Sequence, residues 1–110
     1  MLTSKLFRGN AQLQDCERQD AAHITLGTHG EHVSKIHTAL LILDGVSVAV
    51  AELRSKTYGQ STAAAVLRYK TRRNIINHTY QSTADNIVGK MTIAAMDAEV
   101  SLDVTNGYVP

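Results

Sequence analysis

The chain has 110 residues, 44% apolar and 19% charged, which fits one globular domain and excludes a disordered segment. Eleven Lys and Arg stand against ten Asp and Glu, and this net charge of +1 argues against both a strongly basic nucleic-acid binder and an acidic tail. The single cysteine, Cys16, excludes an intramolecular disulfide framework, and with no Trp, one Phe and one Pro the core must be aliphatic.

Taken in chain order, residues 1–25 read as a polar leader with one short helix. Asn10 is placed to cap that helix, which runs to about Arg18 with Leu13 inward. Met1 to Arg8 lacks the apolar run of a secretory signal. Apolar stretches such as Ala39–Leu43 fall far short of the roughly 20 residues of a membrane helix. The expectation is no membrane contact. The chain then stays in the cytoplasm, leaves by a non-classical route, or is exported as part of a larger protein.

Gly27 and Gly30 mark a turn into a helix over 30–43, where Val33, Ile36, Leu40 and Leu43 form one apolar stripe with His37 beside it. Asp44-Gly45 is its stop signal. Val46, Val48 and Val50 alternate like a strand, but the run is short and has no partner. It reads as a loop with a helical end around 51–54. A second helix spans 60–73 with Thr62, Ala65, Val66 and Tyr69 inward. After a polar stretch over 74–86, a third spans 90–100 with Ala95 and Met96 inward, and 101–110 reads as a tail. The expected core is Val33, Ile36, Leu40, Val66, Tyr69, Val88 and Met96.

The chain repeats itself at an offset of 30: Tyr58-Gly59-Gln60-Ser61-Thr62-Ala63-Ala64-Ala65-Val66 aligns with Val88-Gly89-Lys90-Met91-Thr92-Ile93-Ala94-Ala95-Met96. The template is apolar-Gly-x-x-Thr-x-Ala-Ala-apolar. The residue before Gly should pack inward and pin the loop. Gly permits a sharp turn and is open to positive φ. Thr falls in the first helical turn, within reach of backbone groups the helix start leaves unpaired.

Gly30, Val33, Ile36, Ala39 and Leu40, then Tyr58, Gly59, Thr62, Ala65, Val66 and Tyr69, then Asp85, Ile87, Val88, Gly89, Thr92 and Ala95 form a pattern that resembles the peptidoglycan-binding-like domain of bacterial cell-wall hydrolases. The resemblance covers about residues 26–98 and implies an all-α fold. That fold is a compact three-helix bundle over 26–100, here preceded by a short N-terminal helix. It implies non-catalytic binding of cell-wall peptidoglycan or its stem peptides, as a targeting module fused to or partnered with a wall hydrolase. Several loop positions depart from the family pattern, with Ser55-Lys56-Thr57 and Asp85-Asn86 where Asp-Gly is usual. Those departures favour the alternative, an interaction or scaffold module that keeps the fold without the wall ligand.

Loop position and chemistry suggest Tyr58, Arg72, Tyr80, Asp85 and Asn86 as ligand contacts: tyrosines to stack on sugars, Arg72 for stem-peptide carboxylates, and Asp85 and Asn86 for amides and hydroxyls. The basic run Arg68, Lys70, Arg72 and Arg73 admits three roles: a solvated helix end, a carboxylate contact, or a nucleic-acid patch. The near-zero net charge counts against the last. His29, His32 and His37 lack the Cys or carboxylate partners of a tetrahedral metal site. The first two are expected in solvent and His37 partly buried. Asp85 reads as a turn residue and Asp97 as a helix-surface residue. Neither Cys16 nor any carboxylate pair shows a catalytic pattern, and no cofactor or metal is expected.

Overall fold

The computed structural model describes residues 2–76 and 83–105, with side chains to residue 101. Among these residues the secondary structure is helical: α1 Ala11–Arg18, α2 Glu31–Asp44, α3 Val50–Ser55, α4 Gln60–Arg73 and α5 Lys90–Thr105, with a 3₁₀ turn at Asp20–Ala22. The Asn10 side chain caps α1 by accepting from Leu13 N at 3.0 Å. Gly45, at φ 68°, closes α2 in the left-handed conformation that glycine tolerates.

The three long helices α2, α4 and α5 begin immediately after Gly30, Gly59 and Gly89. α2 packs on both α4 and α5, and α1 packs on α5. All seven residues expected in the core are fully buried. Burying an aliphatic side chain of this size contributes about 1.5–3 kcal/mol, so the apolar stripes, more than helix propensity, hold these helices together.

Residues 50–55 form α3, in line with the helical end expected around 51–54, and the valine alternation before it forms no strand among the described residues: Val48 is buried and Val50 exposed. Two features differ from the sequence expectation. α5 runs to Thr105, past the expected end at Val100, so residues 101–105 are helical. The first 25 residues contribute Leu2, Phe7, Leu13, Cys16 and Ile24 to the same core cluster as the long helices. Asp97 explains part of that. Far from lying on the helix surface, it is buried in α5 and accepts from Thr3 N at 3.0 Å and Ser4 N at 2.9 Å, tying the amino end to α5.

The segment 24–30 runs between the two repeats and pins both. Ile24 and Val88 exchange backbone bonds of 2.8 and 2.9 Å. Tyr58 donates to Thr28 O at 2.8 Å and accepts from Gly27 N at 2.9 Å. Tyr58 and Val88, the apolar residues before each glycine, are both fully buried, as the repeat template required.

Candidate functional site

The first repeat turn is occupied from within. α3 places Glu52 over the start of α4, where its carboxylate accepts from Gly59 N at 3.0 Å, Ser61 N at 3.0 Å and Thr62 N at 2.9 Å. The hydroxyls of Ser61 and Thr62 add bonds of 2.6 Å each. Burial alone would raise the Glu52 carboxyl, but these hydroxyl and backbone donors outweigh it and hold it at about 2, against an ordinary 4.5. An anion at a helix N-terminus also gains from the helix dipole. Thr62 therefore bonds a side-chain carboxylate and not the unpaired backbone groups expected for it.

The Thr62 hydroxyl has one proton, which it gives to Glu52, so it accepts from His37 Nε2 at 2.8 Å. This fixes the His37 tautomer. Burial lowers the His37 pKa, while the Glu52 charge and the Thr57 carbonyl oppose that shift. His32 is also buried, contrary to its expected place in solvent, and burial and then the nearby His29 lower its pKa. No group of three or more His, Cys, Asp or Glu among the described residues is arranged to hold a metal ion.

Glycine is needed at 59, but for a reason other than positive φ. Its φ is −99°, and a Cβ there would lie 2.4 Å from Glu52 Cδ. Gly89 has no positive φ either, and a Cβ there would meet nothing within 4 Å.

The second turn opens into a cleft of about 670 Å³. Gly89, Lys90 and Thr92 from the start of α5 line it, along with Lys70, Ile75 and Ile87. Lys70 is only 6% exposed and donates to Asp85 Oδ1 at 2.5 Å and Ile87 O at 2.8 Å. Asp85 Oδ1 also accepts from Ile87 N at 3.1 Å, confirming its place as a turn residue.

Two of the five expected contact residues sit elsewhere. Tyr58 is fully buried and its hydroxyl donates to Asn86 O at 2.5 Å, so the ring joins the two loops and presents no face to a sugar. Arg72 stands at the same end of α4 as Lys70 but does not line the cleft. There it lies exposed, 3.5 Å from Asp44. Of the other three, Asp85 lines the cleft, Asn86 contributes its carbonyl to Tyr58, and Tyr80 lies outside the described residues.

No known protein family, curated protein or solved structure matches the chain.

The basic run also separates. Lys70 turns into the cleft wall, while Arg73 stacks on Tyr69 at 3.8 Å and pairs with Glu99 and the buried Asp44. Only Arg68 and Arg72 of the four are exposed, so the run is not a continuous basic surface. Cys16 is buried with its thiol on Val88 O, and burial pushes its pKa up to about 11, away from nucleophilic reactivity. The sequence reading missed Glu52 and named Lys70 only as part of the basic run. The offset of 30 carried a usable signal, since it matches the acid at 52 with Ser82 in the second repeat.

Proposed function

We propose that the chain is a non-catalytic module that binds bacterial cell-wall peptidoglycan, with α2, α4 and α5 as the three-helix bundle of the peptidoglycan-binding type and α1 as its short N-terminal helix. The observation that carries this reading is the cleft over the second Gly-x-x-Thr turn, lined by Asp85, Ile87, Gly89 and Thr92 of the resembling pattern. Its walls combine apolar surface with the Lys70–Asp85 and Lys90–Asp20 pairs, which suits stem peptides that carry methyl groups, amides and free carboxylates. Cosedimentation with purified sacculi tests the reading. The protein should be retained, and less so as salt rises, because exposed charges are screened over about 8 Å at physiological ionic strength. Met91→Glu, an exposed change at the cleft wall, should reduce retention. Absence of retention by the folded protein overturns the proposal.

A second reading, an interaction module without a wall ligand, draws on a different surface. Leu41 and Leu53 are 54% and 39% exposed and flank one depression of about 100 Å³ between α2 and α3. Leu41→Glu should leave sacculus binding unchanged if the cleft is the binding site.

A further inference from the structure

The two repeat turns share a backbone plan. Each has a buried residue pinned to the 24–28 segment, then glycine, then a helix starting at the next residue. Each glycine carbonyl accepts the fourth amide on, Ala63 N at 2.9 Å and Ile93 N at 3.0 Å. At the first turn a carboxylate fills the concavity. At the second, the amides of Gly89, Met91 and Thr92 meet no acceptor among the described residues. Thr92 is 1% exposed and lines the cleft, yet its hydroxyl makes no hydrogen bond among the described residues.

From this juxtaposition we infer that the start of α5 is a carboxylate-binding site, and that a ligand carboxylate takes at Gly89 and Thr92 the place Glu52 takes at Gly59 and Thr62. The ligand would be a short acylamino acid or peptide ending in a free carboxylate. Gly89 N, Met91 N, Thr92 N and the Thr92 hydroxyl are the donors, the counterparts of those that hold Glu52. Ile75, Ile87 and Met91 offer apolar wall to a small side chain beside the carboxylate. The acids already at the cleft are engaged by cations: Asp85 by Lys70 at 2.5 Å, and the exposed Asp20 by Lys90 at 3.7 Å. The absent Cβ at 89 leaves room for the carboxylate, because at the first turn the Glu52 carboxylate stands 2.4–2.7 Å from where a Cβ on Gly59 would be. The site deepens the wall-binding proposal by assigning it the free carboxylate of a stem peptide, but its geometry does not depend on that reading.

Titration of isotope-labelled protein with sodium acetate and with N-acetylalanine, at constant ionic strength, tests the site. The amides of Gly89, Met91 and Thr92 should shift saturably in the millimolar range, and those of Gly59 and Thr62, already held by Glu52, should not. N-acetylalanine amide, the neutral control, should leave all of them in place. Gly89→Ala should fold normally and bind at least about tenfold more weakly, because its methyl displaces the carboxylate from its donors. No shift at residues 89–92 with either acid, equal shifts with the neutral amide, or undiminished binding by Gly89→Ala overturns the inference. Retention on sacculi without these shifts would defeat the carboxylate site alone. Carboxylate shifts without retention would defeat the wall reading alone.

Discussion

At the first Gly-x-x-Thr turn the chain supplies its own anion; at the second it presents the same donors to an open cleft. The difference originates upstream of each glycine. Before Gly59 stands a short helix, α3, which ends in a left-handed turn at Lys56 and delivers Glu52 onto the start of α4. Before Gly89 the nearest acid, Asp85, turns to Lys70 and to the Ile87 amide. One local template thus yields a sealed helix start or an available one, according to whether a neighbouring carboxylate is aimed at it. The comparison separates a first turn that serves stability from a second that is left open to the cleft.

The residues that pin the two turns should give the largest contrast. Tyr58→Ala removes a fully buried ring and its bond to Asn86 O, and should cost about 3–5 kcal/mol, as for other large aromatic truncations. Val88→Ala removes less buried surface and should cost about 1–3 kcal/mol. Urea unfolding of both variants checks the ranking. A Tyr58 loss no greater than that at Val88 would mean the first turn is not the tighter one.

Removing the internal anion should come next. Glu52→Gln turns an acceptor into a partial donor facing five donors, and should cost about 2–3 kcal/mol at neutral pH. The pH dependence follows from the depressed carboxyl. Above about 4.5 Glu52 is ionised in both states and its contribution is full. Between about 4.5 and 2 the unfolded chain takes a proton that the folded chain refuses, so stability falls. His37 and His32, whose pKa values are lowered from 6.5, act in the same direction in a higher window, with loss beginning as pH drops below 6.5. Unfolding free energies measured from pH 7 to 2 should show the gap between Glu52→Gln and the parent closing in the acid range. A constant gap would remove Glu52 as the cap of α4.

The glycines should then separate. Gly59→Ala forces the Glu52 carboxylate off its donors and should cost about 1–3 kcal/mol. Gly89→Ala meets open space without positive φ, and thermal unfolding should show stability unchanged or raised by about 0.5 kcal/mol through a less flexible unfolded chain. Comparable losses in both would show that the second turn is as tightly filled as the first.

How far these turns could be read in advance depends on sequence distance. The long helices were legible because their apolar residues recur at helical spacing over three or four turns, as Val33, Ile36 and Leu40 do. α3 was legible only as a short helical end over 51–54, because its six residues make fewer than two turns and the valines before it alternate. The burial of Leu2 and Phe7 carried no periodic signal, since they lie in an irregular turn. Asp97 looked like a surface acid because its partners, Thr3 and Ser4, are more than ninety residues away. The repeat located both glycines and both threonines, but could not reveal that Glu52 covers only one pair. The cleft likewise draws on three separated stretches, around Asp20, Lys70 and Gly89. Tyr58 and Arg72 were grouped by chemistry, although a helix of 14 residues stands between the positions they occupy.

The threonines give the finest test, because the same substitution probes both turns. Thr62→Val deletes the hydroxyl that donates to Glu52 and accepts from His37, leaving a buried imidazole N–H and a carboxylate oxygen each short of a partner. That should cost about 1–2 kcal/mol. Thr92→Val replaces a hydroxyl that has no partner among the described residues with a methyl of the same shape, at a position 1% exposed. With no hydrogen bond to lose, and apolar surface gained, its stability should lie within about 0.5 kcal/mol of the parent, on the stabilising side. Chemical denaturation of the two single variants at pH 7, in buffer free of small carboxylic acids, measures the difference. Adding acetate should then stabilise the parent relative to Thr92→Val, since a ligand that binds only the folded state raises stability by mass action. Equal losses at 62 and 92 would mean that both hydroxyls are engaged alike, and the contrast between a sealed and an open turn would fail.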